Sequence, residues 1–119
     1  MLTFFKAQSM FSSAKNKSKG KPLGTATYLV QTEKGYGVKY HNTIVVEVTL
    51  EGIYTLRSGG WLTVTTKKRI NEYSPIRLHQ KQFEWFLPDG TEFYDGMQVT
   101  STGEVVKEDR YGISKILDI

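Results

Sequence analysis

The sequence predicts a mainly β protein: a small antiparallel sandwich or barrel with one short helical turn and a flexible basic N-terminal tail. Three observations carry this prediction. Runs rich in β-branched and aromatic residues recur from Leu23 onward, and turns containing Gly or Asp-Gly separate them at intervals of roughly eight to twelve residues. Residues 12–22, by contrast, are lysine-rich and hold too little apolar surface to offset the entropy of ordering them. A chain of 119 residues with 39% hydrophobic content supports one core, so the organisation read here is a tail over 1–22 and a single β-rich domain over 23–119.

Within the tail, Leu2, Phe4, Phe5, Met10 and Phe11 predict a short sticky helix. It would have to dock on the body or on a second copy, because an isolated helix of that length is marginal in water. Residues 25–31 read as a strand, 34–37 as a turn and 38–41 as the returning strand of a hairpin. The β-branched run at 43–50 is the clearest strand, and Glu51-Gly52 turns it into a strand at 53–57. Gly59-Gly60 then form either a tight turn or a bulged, wider loop. Alternation along 61–66 places Leu62, Val64 and Thr66 on a core-facing side and Trp61, Thr63 and Thr65 on the other. Thr65 or Thr66 is expected to cap a helical turn over 67–73 that Ser74-Pro75 stops. Strands follow at 76–81, 82–87, 91–94 and 97–100, and residues 103–119 read equally as a strand pair or a loosely attached tail.

Charge is unevenly divided along the chain. Residues 1–22 carry five lysines and no acid, residues 57–81 are net +5, and residues 82–119 are net −5, within an overall +4. Opposite charge on two parts of one chain makes self-association into a homo-oligomer an expectation. No run approaches the roughly 20 apolar residues that span a bilayer. The N-terminus lacks a continuous signal-peptide core and the arginines of an organelle-targeting leader. A cytoplasmic setting and no membrane partner are therefore expected.

Several chemistries are poorly supported. There is no cysteine, and His41 and His79 are the only imidazoles, so a dedicated metal site is not expected. Ser58 has a glycine neighbour but no adjacent histidine. Asp89, Glu92 and Asp95 lie in hairpin-turn contexts and lack calcium-loop spacing. The expectation is a binding protein without catalytic residues and without a cofactor.

The segment from Arg57 to Asn71 concentrates the remaining chemistry. Arg57, Ser58, Gly59, Gly60, Trp61, Thr63, Thr65, Thr66, Lys67, Arg69 and Asn71 bring together hydroxyls, backbone donors, a stacking surface, cations and an amide. That combination suits a phosphate-bearing ligand: hydroxyls and amides near a helix start hold oxygens, Lys67, Arg69 and Arg57 neutralise phosphate, Arg57 or Asn71 reads a base or ribose, and Trp61 stacks. The pattern is not a phosphate loop, since no Gly-Lys precedes a Ser or Thr. Tyr36, Lys39, Tyr40, His41 and Asn42 form a second polar and aromatic group, from which Tyr40 and His41 are expected to complete the pocket.

The residues Tyr40-His41-Asn42-Thr43 through Val48, then Ser58-Gly59-Gly60-Trp61, Thr63, Thr65-Thr66-Lys67, Arg69 and Asn71, resemble a group of small bacteriophage and prophage proteins of unassigned function. The likeness covers about residues 25–73 and brings no established site. It implies a viral accessory protein acting in the cytoplasm of an infected bacterial host. Three functions are expected in order: capture of a nucleotide without turnover, which would sequester a host defence signal; binding of single-stranded nucleic acid, with the lysine-rich tail adding phosphate contacts; and docking on a host protein to inhibit it.

Overall fold

Two rows of apolar side chains dictate the architecture. Leu29, Val38, Val46, Leu56 and Met97 face one another across five strands, and Tyr36, Val48, Tyr54 and Val99 form the next row. All nine are buried on one face of a sheet. The computed structural model describes residues 1–106. In it the sheet comprises β1 (Lys21–Gly24), β2 (Thr27–Gln31), β3 (Gly35–Tyr40), β4 (Thr43–Thr49), β5 (Tyr54–Leu56) and, beyond a second small sheet, β8 (Met97–Val99). The order is β1-β2-β3-β4-β5-β8 and every pairing is antiparallel. β6 (His79–Lys81) and β7 (Glu84–Phe86) form a separate hairpin. The mainly β prediction therefore holds, with eight strands and two helices, α1 (Phe4–Ser12) and α2 (Val64–Tyr73), among the described residues.

Both helices pack over the apolar rows. Phe4 and Phe11 of α1 meet the Tyr36 ring at centroid distances of 5.3 and 5.6 Å. The buried Tyr54 hydroxyl, whose pKa burial pushes up, donates to the Leu2 carbonyl at 2.7 Å. Leu2 in turn donates its amide to the Tyr73 carbonyl at the end of α2. The sticky helix expected from the apolar start thus docks on the body of the same chain.

The lysine-rich stretch differs from the flexible arm the sequence predicts. Lys17 Nζ donates to the Phe11 and Ser12 carbonyls and so closes the open end of α1. The Asn16 side chain accepts from the Ser18 amide, the Ser18 hydroxyl and the Lys19 amide, folding the next residues into a local turn. Lys21–Gly24 then pairs with β2 as an edge strand containing Pro22, which composition alone does not reveal. Satisfied helix carbonyls and strand pairing supply the order that low apolar content argues against.

The second difference lies at residues 61–66. They are not a strand with Leu62 and Val64 in the core; both side chains are exposed. Thr63, rather than Thr65 or Thr66, caps α2, accepting from the Thr66 amide at 3.2 Å, so the helix starts at Val64. Its end before Ser74-Pro75 is where the sequence places it. Ile70, one helical turn after Thr66, anchors it to the core.

Residues 91–94 make only an isolated bridge, Glu92 to Phe86, instead of a full strand. Trp85, in β7 of the β6–β7 hairpin, is 2% exposed and packs on Phe93 at 5.5 Å. At the tip of that hairpin Gln82 and Phe83 adopt φ of 51° and 70°, with Phe83 86% exposed. Val105 bridges Val99 at the far edge of the main sheet. The reading of residues 103–119 lies for the most part, 107–119, outside the described residues.

Docking of α1 has a measurable consequence. Phe11→Ala should lower unfolding free energy in a urea titration by about 3 kcal/mol, the usual cost of truncating a buried phenylalanine. An unattached arm would leave the midpoint unchanged.

Candidate functional site

A bulge sets the geometry of the candidate site. Val38 pairs with Val46 but Lys39 pairs with Ile44, so Val45 is an extra residue and joins Val46 in being buried. At the end of the same hairpin Tyr40 pairs with Thr43 across a two-residue turn, His41-Asn42. His41 sits in the left-handed region with φ 53°, and its amide donates to the Ala26 carbonyl at 2.9 Å. The Tyr40 and His41 rings lie 4.4 Å apart. This end of the sheet presents Tyr40, Thr43 and Val45 toward the N-terminus of α2.

The opposite wall is the connection from β5 to α2, fixed by one carboxylate. Asp95 accepts from the Ser58 amide (2.9 Å), the Ser58 hydroxyl (2.7 Å) and the Gly59 amide (2.8 Å). The Ser58 hydroxyl then accepts from the Gly60 amide. Gly59 has φ 66°, and a Cβ there would strike the Thr43 side chain, so its lack of one lets the loop lie against the β3–β4 turn. Trp61 follows, its amide donating to the Ser58 carbonyl. Burial, the largest single influence on Asp95, raises its pKa; the hydrogen bonds from Ser58 and Gly59 and the nearby Arg57 charge together outweigh it and leave the carboxyl below its ordinary 3.8.

Between these walls lies an open cleft of about 350 Å³, lined by Tyr40, His41, Asn42, Thr43, Val45, Ser58, Trp61, Thr63 and Thr66. Trp61 is 67% exposed on it. The Thr63 and Thr66 hydroxyls are 2.9 Å apart. The Val64 and Thr65 amides belong to the first turn of α2, where no intrahelical acceptor is in reach. An aromatic face, a second ring pair and several hydroxyls around a mostly uncharged lining suit a flat, polar-edged molecule.

Six of the residues expected at a site line this cleft: Tyr40, His41, Ser58, Trp61, Thr63 and Thr66. The cations do not. Lys67 lines a separate groove with Lys68 and Arg77, because its direction is about 100° around the helix from Thr66. Arg69 is held by Thr27 (3.0 Å), Glu72 (3.6 Å) and the Tyr40 ring (5.7 Å to its carbon centre), which places it behind the cleft wall. Asn71 is no free reader of a base, since its amide bonds both the Leu78 amide and the Leu78 carbonyl. Arg57 is exposed beside Asp95, while Gly59, Gly60 and Thr65 shape the loop and helix start without lining the cleft. Of the second group, Tyr36 is under α1 and Lys39 is on the other sheet face. Sequence reasoning misses Thr43 and Val45; a two-residue turn at 41–42 would place Thr43 opposite Tyr40, but nothing marks the bulge. Among the described residues no helix is long and apolar enough to cross a membrane, and no group of three or more potential ligands could hold a metal ion.

Residues 6–100 match the family model described as Kyanoviridae Gp96 protein, and the chain belongs to this family of phage proteins. No curated protein and no solved structure matches it.

The Asp95 clamp makes stability depend on acid pH. A carboxyl with a depressed folded-state pKa stabilises the fold above its ordinary value of 3.8 and loses that contribution as pH falls through the lower folded-state value. Asp95→Asn should cost about 1 kcal/mol at neutral pH, as expected for losing charge-assisted hydrogen bonds at an exposed site. Thermal melts should then show a shallower loss of stability in the variant than in the wild type below pH 3.8.

Proposed function

Taking membership in this phage family as the premise, we propose that the cleft captures a phosphate-bearing nucleotide and holds it without turnover. The exposed Trp61 on the cleft carries the reading. A tryptophan is a costly side chain to leave in water, and the second one, Trp85, is buried as core composition favours. Stacking a base on Trp61 would recover that surface, with Tyr40 and His41 at the base edge and the Thr63 and Thr66 hydroxyls toward the sugar. The phosphate would lie at the mouth of the cleft, toward the positive end of α2, whose Val64 and Thr65 do not line the cleft itself. With Lys67 turned away and Arg69 engaged, recognition rests on the base and sugar more than on charge. In an infected cell such a protein would withdraw a nucleotide signal used by host defence.

Titration with adenine and guanine mononucleotides, triphosphates and cyclic nucleotides, followed by tryptophan emission, tests this directly. Ligand should quench the Trp61 component and leave the Trp85 component in place. Trp61→Ala should weaken binding by about tenfold or more, the range that base-stacking truncations give, and bound nucleotide should be recovered intact by chromatography. No saturable quenching with any of these ligands, or equal affinity in Trp61→Ala, would remove the reading. Quenching by oligonucleotides alone would transfer the cleft to single-stranded nucleic acid.

A further inference from the structure

The ordered lysine stretch builds a second surface remote in sequence from the Trp61 cleft. A groove of about 390 Å³ runs between the α1–β1 connection and β2, with Lys15, Asn16, Lys19, Lys21 and Tyr28 on its walls. Lys19 Nζ lies 5.2 Å from the centre of the Tyr28 ring. Tyr28 pairs with Pro22 on one side and Lys39 on the other, so Lys39 lies beside Tyr28 on the sheet face away from the helices, while Lys21, paired with Leu29, borders the groove from the edge strand. Among the described residues no acid lines the groove, and none occurs in residues 1–22. Among the described residues the ion pair formed is Arg69–Glu72, and no carboxylate of these residues lies within bonding distance of the groove lysines.

The loop divides its lysines between two jobs. Lys17 turns inward to close α1, while Lys15, Lys19 and Lys21 border the groove. Gly20, at φ 101°, sits so close to the Leu29 carbonyl that any Cβ would collide with it, which fixes the loop against β2. The Ser18 and Lys19 amides are consumed by Asn16. The groove therefore lacks the converging backbone donors that grip a single phosphate group. It offers instead separate flexible cations beside an aromatic ring, the combination that tracks a charged backbone and stacks a base. We infer that this groove binds a strand of single-stranded nucleic acid, with Lys15, Lys19, Lys21 and Lys39 neutralising successive phosphates and Tyr28 receiving a base. The site shares no lining residue with the Trp61 cleft, so the two assignments stand or fall separately.

Fluorescence anisotropy with a labelled oligodeoxythymidine tests the assignment on the full chain. Lys15→Gln/Lys19→Gln/Lys21→Gln should weaken binding by about tenfold or more at low salt and reduce the slope of log affinity against log salt by about 2, at roughly 0.7 for each phosphate no longer neutralised. Tyr28→Leu, with the lysines intact, should weaken binding about fivefold or more while leaving the salt slope unchanged. Nucleotide quenching of Trp61 should be the same in all three proteins. Equal oligonucleotide affinity in the wild type and the triple variant would overturn the assignment, as would absence of binding in the wild type. Poly-glutamate binding as tightly as the oligonucleotide would also overturn it and give the groove to an acidic protein.

Discussion

A single sheet with one apolar face imposes a constraint that governs this fold: that face must be covered, and the strands themselves cannot do it. The rows headed by Leu29 and Tyr36 are long enough to need two helices. Helix α1 covers the Tyr36 row, and α2 reaches the sheet through Ile70 and Thr66. The chain then ties the two covers together through Leu2, which bonds both Tyr54 and Tyr73. The candidate cleft lies where this covering ends, at the N-terminus of α2, and the bulge at Val45 keeps an apolar floor beneath it. Site and scaffold thus share one origin.

Much of the sheet is legible in the sequence because its signals are local. The β-branched run at 43–49 and the turn at 51–52 state their structure within a few residues, whereas Gly35, Tyr36 and Gly37, read as a turn, already belong to β3 and the turn falls at 32–34. Helix α2 is harder. Its N-terminal residues Val64, Thr65 and Thr66 are β-branched and read as strand, and only the four-residue step from Thr66 to Ile70 marks the buried helical face. The cap at Thr63 shifts the helix start and, with it, the direction of Lys67. That single shift separates the cations from the cleft, which no inspection of composition could foresee. Which tryptophan is core is equally illegible: Trp85 gains its burial from Phe93 and the rest of the apolar core, contacts made only in three dimensions.

The lysine stretch teaches a related lesson about disorder read from composition. Low apolar content argues against an autonomous core, but it does not count hydrogen bonds that a polar segment makes with a neighbour already folded. Here Lys17 attaches the stretch to a helix that the apolar start has docked, and Asn16 folds the residues that follow. Asp95 works similarly: a turn residue by local context, it holds a loop 36 to 37 positions away.

The edges of the main sheet bear on how copies of this chain can meet. β1 exposes one edge, and it carries Pro22, which has no amide proton to offer, between lysine and a register irregularity. At the other edge Val105 already bridges Val99 and occupies part of the hydrogen-bonding line of β8. Continuous ribbons formed by strand addition are therefore disfavoured at both ends. Assembly through the main sheet is thereby turned toward side-chain contacts, which leaves its stoichiometry to surface shape and charge rather than to the open-ended repetition that an unguarded strand permits.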